Sequence, residues 1–460
     1  MTVNTDHLRS AGYRRLFVFM CFLVAVFNFA DRAVFAVLAQ QIKIDLALTD
    51  FQLGILQGLA FALLYALLGL PIGRLAERAP RIPIIAVAII FWSGMTAACG
   101  MVSSFIQLVI CRVGVGMGEA GAQPATSSLV GDQFGRTSRA SVMALIMLGS
   151  PAGAFLGATV GGWVAGLWGW RMAFFALGLP GLLVGILVLL LLREPPRGMA
   201  DSLPPSPSPP PNFKAFLKVV MRKRSLLLVI LAGALAGFGM TAISQFLAVY
   251  LARAYNLPVE QAGSLYGVIS GLSLTAGLII GSFGTDWLAR LGNPRWPAWG
   301  AAIGLVIAPF LYWTAFSTQS AVLGSVLLVL AGSSMLIYYG PTLGMIQNML
   351  EPRMRATGAA LFAILYTIFG SGLGPTAVGW LSDHFAAASF TGGDYIEACH
   401  GAKAVLGQGS DALAPCAVAA AYGIKTALMS AVSVFFVAAA LFLLASRNLE
   451  QDFYVASEEI

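Results

Sequence analysis

The sequence predicts an all-α integral membrane protein, with twelve transmembrane helices in two pseudo-symmetric six-helix bundles. Three observations carry this. Of 460 residues, 58% are hydrophobic and 10% charged, too little charge to cover a water-soluble surface. The apolar residues gather in twelve runs of about 20 residues or more, the length that spans a hydrocarbon core. A polar, Pro-rich stretch after the sixth run separates two halves whose motifs repeat.

The apolar runs place helices at 15–40, 51–73, 82–102, 105–130, 139–166, 171–192, 226–252, 261–289, 297–316, 320–348, 355–384 and 418–446. The leader "MTVNTDHLRSAGYRR" runs into an apolar stretch too long for a signal peptide, so the first run is expected to be a retained helix. Between helices six and seven, "REPPRGMADSLPPSPSPPPNFKAFLKVVMRKRS" is rich in Pro and Ser and favours extended chain. Its end, "FKAFLKVVMRKR", fits a short basic amphipathic helix at the membrane surface. The expected organisation is a bundle over 1–192, a linker over 193–225 and a second bundle over 226–460.

Charge fixes the orientation. Of 27 basic residues, 20 fall in segments on the side of the N-terminus, five on the other side, and two, Arg32 and Arg112, within spans. This positive-inside asymmetry predicts a multi-pass inner-membrane protein with both termini cytoplasmic. It also accounts for the net charge of +7 without a nucleic-acid partner. Cys21, Cys99 and Cys111 lie in apolar helices and read as small hydrophobes. Cys399 and Cys416 share the outer loop before the last helix, which faces an oxidising space in a bacterial host. A disulfide and two free thiols are both open there.

The halves echo each other. "GRTSRASVMALI" after helix four matches "EPRMRATGAALF" after helix ten, each placing Arg-Ala-Ser/Thr at the inner start of a Gly-rich helix. "GGW" (Gly161–Trp163) matches "VGW" (Val378–Trp380), and "GLPIGRLAER" matches "GLIIGSFGTDWLAR". Two six-helix halves related by an axis along the membrane normal are a recurrent design for secondary transporters. Pro151 and Pro375, beside glycines in equivalent helices, are expected bends.

Several motifs carry a family resemblance across essentially the whole chain. "GLPIGRLAERAPR" (Gly69–Arg81) resembles the loop-two-three signature of the major facilitator superfamily (MFS), with Glu77 where that signature usually has Asp. "RVGVGMGEAG" (Arg112–Gly121) is similar to its fourth-helix motif. "GSPAGAFLGATVGGW" (Gly149–Trp163) is similar to the fifth-helix motif common among antiporters, with an irregular Pro-Gly order. "NFADR", "GMGEAG" and "GWRMAFF" together resemble the spinster branch. The resemblance implies lipid transport, proton-driven in bacterial members. It also implies a cytoplasmic gate, with Glu77 and Arg78 where the family's Asp and Arg hold the bundles together. Gly73, Arg139, Asp286 and Arg355 are the further gate candidates, Asp286 as counterpart in the second half.

The residues themselves carry a mechanism. The spans of the first half hold four formal charges, Asp31, Arg32, Arg112 and Glu119. An ionisable group at membrane depth costs at least roughly 2.5–3.5 kcal/mol, so these are expected to line a water-accessible cavity. Arg112 and Glu119 lie two helical turns apart, roughly 10 Å along one face, and Asp31 lies roughly 18 Å of helix before Lys43. That puts Asp31 level with Arg112 and Glu119 nearer the midplane. Burial disfavours an ionised carboxylate and a neighbouring Arg favours it, so a carboxylate whose cavity changes face gains and loses a proton. Asp31 and Glu119 are the candidate proton-coupling acids. A static ion pair pinning helix one to helix four is the alternative. Asn28 is expected on the face of Asp31, and Arg32 and Arg112 are candidates for an anionic head group.

The second half has almost no charge within its spans. Its polar atoms come from residues such as Gln245, Tyr338, Tyr339 and Tyr366, which with Gln123 of the first half are the candidate substrate-cavity residues. A cavity ionic on one side and aromatic on the other suits an amphiphile.

The leading expectation is a proton-coupled secondary transporter of a lysophospholipid- or sphingolipid-like solute, working by alternating access as an exporter or antiporter. A proton symporter of a small organic anion or sugar phosphate, and a non-transporting sensor, are the alternatives. His7, His384 and His400 lie outside mid-membrane and form no Ser-His or metal-ligand spacing, so no enzyme is expected. Without a phosphate-binding loop, the expected drive is the proton gradient, with no cofactor. The expected partners are substrate, protons and membrane lipids, and the chain is expected to be a monomer.

Overall fold

The computed structural model describes residues 8, 10–135, 138–200, 213–351, 354–400 and 414–454. Among them, twelve helices are long and apolar enough to cross a membrane: α1 Ala11–Leu46, α2 Asp50–Gly69, α3 Arg81–Cys99, α4 Phe105–Gln133, α5 Ser141–Trp168, α6 Trp170–Leu191, α7 Arg224–Ala254, α8 Val259–Arg290, α9 Trp296–Ser317, α10 Ala321–Met349, α11 Thr357–Ser389 and α12 Pro415–Ser446. Each overlaps an expected apolar run. The largest extension is at α1, whose ends are set by backbone chemistry beyond the apolar residues. The Ser10 hydroxyl accepts the Tyr13 amide at its start, and Ala47 closes its end in the left-handed region at φ 52. The end of α7 is marked the same way, by Asn256 at φ 50.

The described chain divides into two compact units. The first comprises Met1–Leu48, Leu59–Pro207 and Asn256–Val268; the second comprises Thr49–Gly58, Ser208–Tyr255 and Ile269–Ile460. Each unit thus holds one short segment from the opposite half of the sequence, which the simple division at 192 and 226 does not contain. Local contacts explain both. The backbone of α8 at Val259–Gly263 lies against Gly162 of α5. The first residues of α2 are bonded to α11, as described below.

Glycines set the register in the first unit. Gly149, Gly153, Gly157 and Gly161 recur every four residues on α5 and bring it against the backbone or side chains of α1 from Phe22 to Val34. A side chain at Gly153 or Gly157 would run into the Val26 or Ala30 carbonyl. Close approach of small residues is how membrane helices gain packing, and here it fixes α1 one residue before Asp31. In the second unit Gly374 of α11 lies against the Phe238 carbonyl of α7 in the same way.

The spans are interrupted where backbone freedom is useful. α5 breaks at Leu148–Gly149, just before Pro151. In α11 a π-helical stretch, Tyr366–Leu373, ends just before Gly374 and Pro375. A proline removes one i→i−4 bond and crowds the preceding turn, so both irregularities sit where the sequence places bends. A second π-helical stretch, Ile280–Gly284, interrupts α8; such bulges mark functional helices. The Arg-Ala-Ser/Thr repeat also has a local purpose. Arg139 Nε donates to the Phe134 carbonyl at 2.9 Å and Arg355 Nε to the Leu350 carbonyl at 3.3 Å. Each guanidinium reaches back five residues, to the segment that follows its preceding span.

Outside the spans, Phe213–Arg222 forms a short helix. It buries Phe216 and Val220 and exposes Lys218 and Arg222. The Pro-rich residues before it lie outside the described residues. Cys399 and Cys416 form a disulfide, tying the short helix Tyr395–His400 to the start of α12. Cys21, Cys99 and Cys111 are free and buried.

Candidate functional site

In the first unit, α1, α2, α3 and α4 bring the four intramembrane charges together. Arg32 of α1 bonds Glu119 of α4 through Nε at 2.9 Å and Nη2 at 2.6 Å, both to Oε2. Glu119 is 1% exposed, whereas the Arg32 side chain keeps 29% of its surface open. Asp31 is 2% exposed, and its Oδ2 accepts a hydrogen bond from Thr96 Oγ1 of α3 at 3.1 Å. Among the described residues, Asp31 Oδ1 and Glu119 Oε1 meet no hydrogen-bond donor. The charged groups that Asp31 faces are Glu119, Arg112 and Arg32.

Aromatic rings complete the setting. The Arg32 guanidinium lies 4.6 Å from the Phe61 centroid, 5.5 Å from Tyr65 and 5.7 Å from Phe29. Arg112 lies 4.5 Å from Phe35 and 5.4 Å from Phe61. Beside the ion pair is a cavity of about 40 Å³, lined by Asn28, Tyr65, Glu119, Gln123, Thr126 and Met143 among others, room for a water or two.

The four sequence-predicted charges are therefore gathered, and the ion pair that joins helix one to helix four is Arg32–Glu119. The hydrogen bond to Asp31 comes from Thr96, while Asn28 faces the cavity beside Glu119. Thr96 and Phe61 were missed, since one hydroxyl or ring in an apolar helix carries no sequence signal.

In the second unit the tyrosines form a cluster around a thioether. Tyr366 donates to Met240 Sδ at 3.3 Å and Tyr338 to the same sulfur at 3.7 Å, and Tyr339 packs edge-on against Tyr366 at 5.9 Å. Tyr338 is 0% exposed. Its expected place on a cavity wall is corrected: the ring is packed inside the unit, leaving the half-buried Tyr339 and Tyr366. Gln245 Nε2 donates to the Gln57 carbonyl at 3.3 Å.

Of the gate candidates, the side chains of Gly73 and Glu77 lie outside the described residues. Arg78 is exposed, and Arg139 and Arg355 bond carbonyls of their own units. Asp286, also exposed, lines a cavity of about 370 Å³ with Arg290, Asn348 and Phe453. The buried arginine at this end of the first unit is Arg81, which bonds Asp132, Glu194 and Ser128. Glu194 Oε2 also accepts the Arg81 and Ile82 amides at the start of α3, an anion at a helix N-terminus.

A second buried charge network was not foreseen. Arg253 of α7 grips both oxygens of Asp50 at 2.7 Å, and Ser382 Oγ donates to Asp50 Oδ2 at 2.6 Å. Asp383 accepts the Asp50 and Phe51 amides at 3.0 and 2.7 Å. Thr49 and Gln52 add a capping box. Tyr395, 3% exposed, lies beside this network. Burial first, then the charges of Asp50 and Asp383, push its phenol up to about 12, opposed by Arg253. An unfolded tyrosine titrates near 10. Between these values the unfolded chain has lost the proton that the folded one keeps. The contribution of Tyr395 is thus complete below about pH 10 and lost as pH rises through about 12. An ultraviolet phenolate titration of the protein against its Tyr395→Phe variant reads this directly. The difference is expected to titrate near 12; a difference near 10 contradicts the burial.

The Major Facilitator Superfamily model matches residues 21–375. The chain belongs to that superfamily. It is 32% identical over 384 residues to an MFS-type efflux pump of Mycolicibacterium smegmatis, covering 83% of this chain and 88% of that one. A bacterial homologue of the human lysosomal transporter Spinster, solved inward-facing and occupied, superposes with a TM-score of 0.85 at 30% identity, covering 97% of this chain and all of that one. The sphingosine-1-phosphate transporter SPNS2 of Xenopus tropicalis is 26% identical over 373 residues, covering 78% of this chain and 72% of that one. This MFS protein is therefore a multi-pass membrane transporter of the spinster branch rather than an enzyme, with two six-helix halves of the family fold.

Proposed function

We propose that this transporter exports an amphipathic lipid, of the lysophospholipid or sphingolipid class, in exchange for protons by alternating access. The carrying observation is the pair of buried carboxylate oxygens, Asp31 Oδ1 and Glu119 Oε1, that no described donor reaches. A buried acceptor left unmade costs about 1–3 kcal/mol, more when charged. A proton, a water or a substrate donor removes that cost. The site thus has a reason to exchange one for another as its access changes. Arg32 and Arg112 supply cationic partners for a phosphate head, and the rings of Phe29, Phe61 and Tyr65 beside Arg32 supply apolar surface next to it. The names of SPNS2 and of the efflux pump support both the substrate class and the direction. In this reading the proton gradient is the only drive and no cofactor is needed. The protein works as a monomer in the inner membrane, both termini cytoplasmic.

A flux assay in proteoliposomes tests it, with lysophospholipids, a sphingosine phosphate and small organic anions offered with and without a pH gradient. Lipid flux that rises with the gradient is expected. Gradient-driven flux of a small anion without lipid overturns the substrate class in favour of a symporter.

A further inference from the structure

We propose that the helix Phe213–Arg222 is a binding site for anionic phospholipid headgroups, and that it anchors the start of α7 to the adjoining leaflet. The inference goes beyond the transport reading and does not depend on it.

The segment "FKAFLKVVMRKR" holds five basic residues and no acid. The chain does not run straight from it into α7. Lys223, between the two helices, has φ −86 and ψ 94, extended rather than helical, so the ten-residue helix leaves the axis of the span that follows it. That span starts at Arg224 and has 31 residues, roughly 46 Å of helix, against a hydrocarbon core about 30 Å thick. Its ends therefore reach the headgroup region, and the short helix departs from one of them.

The short helix has three distinct sides. Phe216 and Val220, one turn apart, are buried. Just beyond, the Lys223 ammonium donates to the Met349 carbonyl of α10 at 2.8 Å and to the Asp452 carbonyl at 2.7 Å. These bonds pin the end of the helix to the second unit. Leu217 and Met221, also one turn apart, are 43% and 63% exposed. Lys214, Lys218 and Arg222 are exposed as well, and their four-residue spacing makes them the next row round the helix. Arg224 is exposed after them. Among the described residues, Lys218, Arg222 and Arg224 are in no ion pair.

An apolar row beside a basic row is what a helix lying in a membrane interface presents. The apolar side chains enter the acyl boundary while the cations stay among the phosphates. A nucleic acid would satisfy the cations and leave Leu217 and Met221 wet. A lipid, with chains below its headgroup, satisfies both rows. Each basic residue near an anionic membrane surface favours binding about fivefold, so the row selects anionic over zwitterionic lipid.

The test places a bimane fluorophore on Met221→Cys in the full-length protein. Cys21, Cys99 and Cys111 are buried, and Cys399 and Cys416 are bonded to each other, so the new thiol takes the label. Phosphatidylcholine nanodiscs are doped with phosphatidylglycerol or phosphatidylcholine bearing the same acyl-chain spin label, which quenches bimane on contact. Phosphatidylglycerol is expected to half-quench at a mole fraction about fivefold lower than phosphatidylcholine, or lower still. Lys218→Gln with Arg222→Gln is expected to bring the two lipids together, with quenching by phosphatidylcholine retained. Lys218→Arg with Arg222→Lys keeps the charges and the parent preference. If the glutamine variant does not fold, added salt replaces it and is expected to shrink the parent's preference by screening. Equal quenching by both lipids in the parent overturns the proposal. A preference that survives the glutamine variant, or the salt, overturns it too and places the anionic lipid elsewhere. Quenching by neither lipid also overturns it, and leaves the two rows to a protein partner.

Discussion

Glu119→Gln is expected to abolish gradient-driven lipid accumulation, bringing it to the level of empty liposomes, while lipid exchange without a gradient persists. Gln fills the same volume, and its amide oxygen still accepts from Arg32, so the α1–α4 contact survives. What it removes is a carboxyl group, proposed above to exchange protons, and with it one negative charge. Two arginines then face Asp31 alone, and the site no longer changes its proton count as access changes. Breaking a buried pair by removing one partner costs roughly 3–5 kcal/mol. Here the loss lies near or below the bottom of that range, because the Arg32 side chain is 29% exposed and three rings still face it. Flux with and without a pH gradient, beside a thermal melt, separates lost coupling from lost fold. Full accumulation in Glu119→Gln removes Glu119 from the mechanism.

Arg253→Ala has the larger effect on stability, about 3–5 kcal/mol. Asp50 is 0% exposed and Asp383 only 9%. Without Arg253 both remain buried, with Ser382, the first amides of α2 and the helix N-terminus as partners. Arg253→Lys keeps the charge but not the two-pronged grip, and loses roughly half as much, since a single ammonium cannot match the guanidinium fork. The double variant Asp50→Asn with Arg253→Met removes both charges, and is expected to recover much of the loss. Melting curves of the detergent-solubilised proteins read all three. A double variant no better than Arg253→Ala argues that the arginine acts by packing.

The spans were legible because length and apolarity are properties of the sequence alone. The pseudo-repeat was equally readable, and Arg139 and Arg355 show why: each makes the same five-residue backward bond. The four charges of the first unit were legible as a set, since any charge within an apolar run stands out. Their pairing was not. Whether Arg32 or Arg112 meets Glu119 depends on the rotation of α1 against α4, which the glycines of α5 help to fix through α1. The Asp50–Arg253–Asp383 network joins residues 203 and 333 positions apart. Its signals, an Asp opening α2 and an Arg on the otherwise base-poor side, look in the sequence like any charges at helix ends. Tyr338 shows the reverse error. A tyrosine in a membrane span reads as a cavity residue until a nearby methionine is seen to take its hydroxyl.

The account rests on acids inside the first unit trading protons for lipid, and counting the two together tests it. Proteoliposomes carrying a trapped pH indicator and a labelled lysophospholipid report both movements in one trace. Protons moving opposite to the lipid, in fixed ratio, and lost in Asp31→Asn and Glu119→Gln, is the predicted result. Lipid that crosses at the parent rate in all three proteins with no proton movement contradicts it.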